Sequence, residues 1–434
     1  MTESSFQERK TGIYIHIPFC VQKCNYCAFL SFPASEETRT KYIESLIQEI
    51  SLYNIKPEKT EHYKAEKNKA EQIKTEVDSI YFGGGTPALL EPEQIEKIVY
   101  KIKKVFAVTG DVEITLEANP GALGGDEEEI FNKLSEFGKA GVNRLSFGVQ
   151  SMNDDKLHLL GRVHSASDVV RDFEIARDIG FDNISLDIIL SVPTETRDNS
   201  TEADNLKSSI DDVKKIIELK PEHISCYSLQ LEEGTVFYDM AEGGLLKEIP
   251  DAEDRNIYHA VCDLLKNSDY EQYEISNFAL KADGETENKY NYRSRHNSKY
   301  WDMSEYIGFG LGASGFLKGK RYRNTTSLEE YCRLVREGKK PIEDVYINNE
   351  HDFISEAVFT GLRRIEGISY REAVRFLKNE NFGNDESVFW GYYSNVRKEA
   401  EEFEKNGYLE IDRKGIRLTE TGIDISNRIM ALFV

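Results

Sequence analysis

The sequence predicts an α/β fold: a partial (β/α)6, TIM-like barrel followed by a small α+β C-terminal domain resembling a winged helix. Three observations predict it. Short apolar segments alternate in series with helical patterns, as in a parallel sheet with helical crossovers. Polar residues occupy every second position of those segments, which gives the sheet two chemically different faces. Past residue 346 the rhythm changes to helices followed by a hairpin. These breaks divide the chain into a barrel over 1–240, an extension over 241–345 and a C-terminal domain over 346–434.

The elements follow in order. Strands are expected at "GIYIHIP" (12–18), "DSIYFGG" (78–84), "VEITLE" (112–117), "RLSFGVQ" (144–150), "ISLDIIL" (184–190) and "HISCYSL" (223–229). Between them lies a helix over 92–106, in which Ile95, Ile98, Val99 and Ile102 share a face. Further helices are expected at about 126–138, 166–179 and 204–219. In the third strand Val112, Ile114 and Leu116 turn to the helices, which sends Glu113, Thr115 and Glu117 to the other side. Leu145, Phe147 and Val149 likewise oppose Arg144, Ser146 and Gln150, and Ile184, Leu186 and Ile188 oppose Ser185 and Asp187. A filled barrel interior is apolar. One lined with carboxylates, Gln and Arg points to a cavity for a polar ligand, with internal ion pairing as the plainer alternative. Glu117 and Gln150 end their strands, where barrel active sites lie.

Composition excludes several functions. The net charge of −22 over 434 residues argues against nucleic-acid binding by bulk electrostatics. No window approaches the ~20 apolar residues of a membrane helix. The start, "MTESSFQERK", has no apolar run, so no secretory leader is expected. Six cysteines in so long a chain are no disulfide framework, and a cytoplasmic location with reduced thiols is expected. Residues 56–78 mix charges of both signs and read as a solvated insertion. In the C-terminal part, "VRKEAEEFEKNGYLEID" runs as a helix to Asn406-Gly407 and then enters a hairpin turned by "DRKG", and a last helix is expected over 421–432. Residues 353–434 hold 12 Lys and Arg against 14 Asp and Glu, which favours a protein-docking or lid role over DNA binding.

Cys20, Cys24 and Cys27 form a C-x3-C-x2-C run. Three readings compete for it. A redox dithiol "CNYC" leaves Cys20 surplus. A zinc site needs a fourth ligand, and His16 is near enough in sequence to supply one. An iron–sulfur cluster on three thiolates leaves one iron open for a small molecule.

The run, with Tyr26 before its last Cys, resembles the signature of the radical S-adenosylmethionine (SAM) superfamily. "YIHIPFC", "YFGGGTP", "LEANPG", "RLSFGVQS", "LGRVHS" and "ISLDII" occur in the order seen in the branch around oxygen-independent coproporphyrinogen oxidase. "YEISNFA" and "SRHNSKYWDMSEYIGFGLGASG" are similar to the HemW-type heme chaperones of that branch. The likeness covers about residues 12–330 closely and the tail in outline. It implies a 4Fe-4S cluster held by Cys20, Cys24 and Cys27, with SAM chelating the open iron. It implies SAM contacts at Tyr14, Gly84, Gly85, Thr86, Glu117, Gln150, Arg162 and Asp187. Glu117, Gln150 and Asp187 are also residues that strand alternation turns inward. One departure stands out: the family usually reads "GLPGQT" after the fifth strand, and this chain reads "SVPTET" at 191–196. That puts any close backbone approach there in doubt.

The same resemblance separates two activities. The decarboxylating oxidase has a further Cys two residues after the third ligand, where this chain has Phe29, and a long N-terminal extension before the first strand. "HNSKYW" (296–301) matches the H-N-x-x-Y-W motif tied to heme in the chaperones. It implies heme contact by His296, Asn297, Tyr300 and Trp301. Imidazole ligates heme iron and flat aromatics suit a porphyrin, whereas by itself the hexapeptide reads as a turn cap beside core aromatics. Cys226, Cys262 and Cys332 stand as second-ligand candidates, although free Cys is usually a small buried hydrophobe. The expectation is a heme chaperone that hands heme to an acceptor such as a respiratory enzyme, with a homodimer implied by the family. The alternatives are a coproporphyrinogen III oxidase-like enzyme, a radical SAM methyltransferase or a zinc-bound docking module.

Overall fold

The computed structural model describes residues 9–53, 75–195, 201–281, 291–375, 377 and 384–434. The opening "MTESSFQE", Thr196 and nearly all of the charged stretch 56–78 lie outside the described residues. The chain divides into two compact units. The first comprises Met1–Phe147, Val163–Asp182 and Ser304–Tyr346, and the second Gly148–Arg162, Asn183–Met303 and Ile347–Val434.

The strands in chain order are β1 (Thr11–Ile17), β2 (Glu76–Gly84), β3 (Ala107–Ala118), β4 (Arg144–Gln150), β5 (Ile184–Leu190) and β6 (Thr194–Glu195). Next come β7 (His223–Ser228), β8 (Leu246–Lys247), β9 (Tyr270–Gln272), β10 (Asn277–Leu280), β11 (Tyr306–Phe309) and β12 (Ser314–Leu317). The last are β13 (Lys320–Asn324), β14 (Ile342–Ile347), β15 (Ile368–Ser369), β16 (Leu409–Ile411) and β17 (Gly415–Leu418).

In the first unit β11, β1, β2, β3 and β4 run parallel in that spatial order, and β12 and β13 continue the β11 edge antiparallel. In the second unit β5 and β7 are parallel, and β10 and then β9 extend them antiparallel. The six strands expected from alternation are all present, two of them with identical ends. Both faces of β3 are buried from Val112 to Leu116, as a strand covered on two sides requires.

The crossover helices begin where their caps dictate. Pro92 opens the helix Pro92–Val105, whose Ile95, Ile98, Val99, Ile102 and Val105 are buried. Each such side chain contributes about 2 kcal/mol of burial free energy. Ser165 and Thr201 form reciprocal capping boxes with Asp168 and Asp204 at the starts of the helices Ala166–Ile179 and Glu202–Glu218. No helix among the described residues is long and apolar enough to cross a membrane.

The C-terminal segment forms the helix-then-hairpin pattern. The helix Arg397–Lys405 stops before Gly407, whose φ of 78 reverses the chain into β16 and β17, and β15 completes a three-stranded sheet. Phe389, Trp390, Tyr393 and Phe433 pack edge and face into its core. The single helix expected over 421–432 is broken into Glu420–Ile423, Ser426–Met430 and a 3-10 turn. Ile425 lies at φ −116 and ψ 22, outside helical geometry, and interrupts it.

Candidate cofactor site

Parallel register puts Tyr14 of β1 beside Tyr81 of β2, and Tyr81 beside Thr115 of β3. The two phenol rings stack at 6.3 Å. Two residues beyond Thr115, Glu117 points to the same face. Its carboxylate accepts the Tyr81 hydroxyl at 2.8 Å and the Gly84 amide at 3.1 Å. These bonds hold an acceptor at the end of β2 and β3. Burial, then the nearby Glu117 carboxylate, pushes the Tyr14 phenol well above its usual range, so it stays protonated.

The glycines are required by packing. Gly84 lies at φ +113, and a Cβ there would stand 2.5 Å from the His16 ring. A Cβ on Gly85 would stand 2.5 Å from the Phe19 carbonyl oxygen. The end of β2 is therefore backbone packed directly against the end of β1. The Gly85 and Thr86 amides donate to Ile17 and Phe19, which fastens the two ends together.

The thiol loop leaves β1 and returns through a Phe19–Phe32 bridge. Cys20, Cys24 and Cys27 are partly exposed and none is in a disulfide. The Thr86 hydroxyl lies 3.8 Å from the Cys20 sulfur and accepts from Asn119 at 2.7 Å. Burial raises the Cys20 thiol above its ordinary value, so thiolate formation there needs a compensating cation. The iron of a cluster bound there would supply that charge. His16 does not complete a zinc site: Nδ1 meets the Tyr14 hydroxyl at 3.1 Å and Nε2 the Leu30 carbonyl at 2.9 Å. Burial lowers its pKa and keeps it neutral. Among the described residues no three His, Cys, Asp or Glu side chains converge closely enough to hold one ion. A fixed carboxylate at the ends of β2 and β3 suits the ammonium of an amino-acid ligand, and three thiols on one loop suit a cluster, in which each thiolate takes a different iron.

Tyr14, Gly84, Gly85, Thr86, Glu117 and the three cysteines all belong to the first unit. Gln150, Arg162 and Asp187 belong to the second. Gln150 ends β4 at φ 69, a left-handed conformation that costs a non-glycine residue of order 1–3 kcal/mol. The following loop holds it there: Ser151 and the Met152 amide donate to buried Asp212, and Lys215 donates to the Met152 carbonyl. Arg162 donates to the Gly148 carbonyl at 2.7 Å. Asp187 accepts from Ser185 at 3.1 Å. At the departure from the family pattern, Ser191 takes φ 54, the conformation of a glycine, and buries a hydroxyl with no hydrogen-bond partner among the described residues.

His296, Asn297, Tyr300 and Trp301 lie on one short helix, Arg295–Trp301, capped by Ser294. His296 is only 1% exposed, and its Nε2 meets the Tyr300 hydroxyl at 3.0 Å. The imidazole is engaged rather than open. The Trp301 indole N–H is buried without a hydrogen-bond partner among the described residues, and the Arg363 guanidinium stacks 4.5 Å from its ring. An unsatisfied donor beside a cation and a flat ring fits a porphyrin carboxylate, while iron at His296 Nε2 requires the Tyr300 hydroxyl to leave. Cys226 and Cys262 are buried, and burial raises both thiols, Cys262 to about 11. They have the character of core residues. Sequence reasoning missed Tyr81, Asn119 and the buried His223. The weak signal for Asn119 was its place in "LEANPG".

Comparison with known proteins follows the same lines. The profile of the radical SAM superfamily matches residues 14–204. The chain is 33% identical to the heme chaperone HemW of Bacillus subtilis (strain 168), over 97% of this chain and 98% of that protein. It is 32% identical to the heme chaperone HemW of Lactococcus lactis, over 98% of each. Among solved structures, coproporphyrinogen III oxidase of Escherichia coli, a radical SAM enzyme, superposes with a TM-score of 0.75. That likeness spans 99% of this chain and 91% of the oxidase at 21% identity, and it establishes the α/β radical SAM fold.

Proposed function

The chain belongs to the HemW heme chaperone family of the radical SAM superfamily, and from that premise we propose that it binds heme and passes it to an acceptor protein. Cys20, Cys24 and Cys27 hold a 4Fe-4S cluster. Tyr14, Gly84, Gly85, Thr86, Glu117, Gln150, Arg162 and Asp187 receive SAM, which completes the cluster. His296, with Asn297, Tyr300 and Trp301, receives heme. Residues 1–240 carry the cofactor chemistry, 241–345 the heme motif and 346–434 a docking or lid function. The acceptor is a heme-dependent protein, such as a respiratory enzyme, met in the cytoplasm by a homodimer.

The observation that supports this reading best is the helix Arg295–Trp301. It sets an imidazole, a phenol and an indole with an unsatisfied N–H on two turns beside Arg363. Phe29, 70% exposed, adds to it, because the oxidase chemistry calls for a thiol at that position.

The alternative is an oxidase-like enzyme, and one preparation separates the two. Protein reconstituted without oxygen is given reductant, SAM and coproporphyrinogen III, and in parallel one equivalent of heme. The chaperone reading expects stoichiometric heme loading and no carbon dioxide release above the cluster-free control. Decarboxylation in step with 5′-deoxyadenosine would overturn it.

A further inference from the structure

Four buried groups of the second unit and the half-buried Asp187 form one hydrogen-bonded chain. The parallel pairing of β5 with β7 places Ser185 opposite His223, and Asp187 two residues on faces the same way. The Ser185 hydroxyl donates to Asp187 Oδ1 at 3.1 Å. The same oxygen lies 2.8 Å from His223 Nδ1, and His223 Nε2 lies 2.8 Å from the Tyr273 hydroxyl. The Tyr273 oxygen accepts the Ser294 amide at 3.2 Å. Ser294 is the cap of the helix Arg295–Trp301: its Oγ accepts the Asn297 amide and its carbonyl accepts the Ser298 hydroxyl. Ser185, His223 and Ser294 are fully buried and Tyr273 nearly so.

The Ser294 amide fixes one end of the chain as a donor, and the Asp187 carboxylate offers an acceptor at the other. A backbone amide only donates and an ionised carboxylate only accepts. Ser185 has one proton and gives it to Asp187, so His223 Nδ1 carries the donor hydrogen toward Ser185. His223 Nε2 is then the acceptor of the Tyr273 proton, and the Tyr273 oxygen is left to accept from Ser294. In the Nδ1–H tautomer of His223 all four bonds point one way. Bonds aligned in this manner polarise one another, so a change at one end is felt along the chain. Arg293, stacked 5.5 Å from the Tyr273 ring, holds the far end in place.

We infer that Ser185, His223 and Tyr273 are positioning residues that couple the Asp187 end of the barrel to the helix carrying His296. This rests on the reading above, in which Asp187 receives SAM and His296 receives heme. A ligand hydroxyl at Asp187 competes with Ser185 for the carboxylate, weakens the first bond and loosens Tyr273 from Ser294. The helix cap is then free to shift, which is the movement His296 needs to leave Tyr300. SAM occupancy therefore tightens heme binding. By reciprocity heme tightens SAM by the same factor.

The test is a heme titration of the full chain with its cluster reconstituted, followed by heme absorption with and without saturating SAM. SAM affinity is measured separately by equilibrium dialysis. The parent should bind heme about fivefold or more tightly with SAM present. Tyr273→Phe and Ser185→Ala, each lacking one hydroxyl at a different point of the chain, should bring that ratio close to one. Both ligands should still bind individually, and Ser185→Thr should restore the ratio. A parent ratio of one overturns the inference, as does a ratio unchanged in both variants. If the parent binds no heme or no SAM at all, the functional reading fails first and the coupling falls with it.

Discussion

The corner where β1, β2 and β3 end and the helix Arg295–Trp301 are both polar, and they handle polarity in opposite ways. At the corner none of the three thiols is in a disulfide, all three are partly exposed, and the Glu117 carboxylate is held in place beside the end of β2. There the protein has assembled donors and left the ligand's place to the ligand. Around the helix, His296 is bonded to Tyr300, and Ser294 is tied through Tyr273 to His223. There the imidazole and the helix cap are already bonded, and a ligand at His296 must displace Tyr300. The first site is pre-organised. The second needs a rearrangement before it can bind, which suits a cargo that must later be released.

The sharpest way to break the comparison is to remove the open donors. Cys24→Ala should reduce iron and acid-labile sulfide from about four per chain to near zero after reconstitution, by the ligand count of such clusters. Retention of a full cluster would show that the thiols are not its ligands.

The first unit also carries a buried cost behind β1. Glu49 is fully buried, accepts from Tyr331, Gly310 and Asn324, and has its pKa raised from 4.5 to about 7, mainly by burial. The folded state thus holds a proton that the unfolded state has lost between those two values. Stability is full below the lower one, falls as pH rises toward 7 and stays reduced above it, by about 3 kcal/mol in all. Urea midpoints of Glu49→Gln at pH 5 and pH 8 should lack most of that fall. A parallel decline in parent and variant would place the cost elsewhere.

Gly84→Ala tests the packed end of β2. A Cβ 2.5 Å from the His16 ring at φ +113 should cost about 2 kcal/mol in thermal unfolding and weaken SAM at least tenfold by dialysis. At the closed site the sign reverses. Tyr300→Phe frees His296 Nε2 of one hydrogen bond and should tighten heme about fivefold, equivalent to about 1 kcal/mol. Weaker binding would make the Tyr300 hydroxyl itself a heme contact.

The smallest effect is expected at Ser191. Glycine there relieves φ 54 and removes an unpartnered buried hydroxyl, so Ser191→Gly should stabilise by about 1 kcal/mol in denaturant.

Much of this contrast was legible in the sequence. Alternation in "VEITLE" and "ISLDIIL" turned Glu117 and Asp187 away from the helices, because strand periodicity is local. The cysteine spacing read directly as a loop of three ligands. What could not be read depended on register between distant strands. His223 meets Ser185 only because β5 and β7 pair as they do, and Tyr81 reaches Glu117 across 36 residues. The engagement of His296 by Tyr300 follows from an i, i+4 helical spacing. It was visible in "HNSKYW" once that hexapeptide was known to be helical rather than a turn.

The most direct measurement is heme binding itself. Protein with its cluster reconstituted without oxygen is titrated with heme, alongside His296→Ala, and the absorption is followed to saturation. The account predicts saturable one-to-one binding in the parent, weakened at least tenfold in the variant. Absence of saturable binding in the parent would contradict the chaperone assignment.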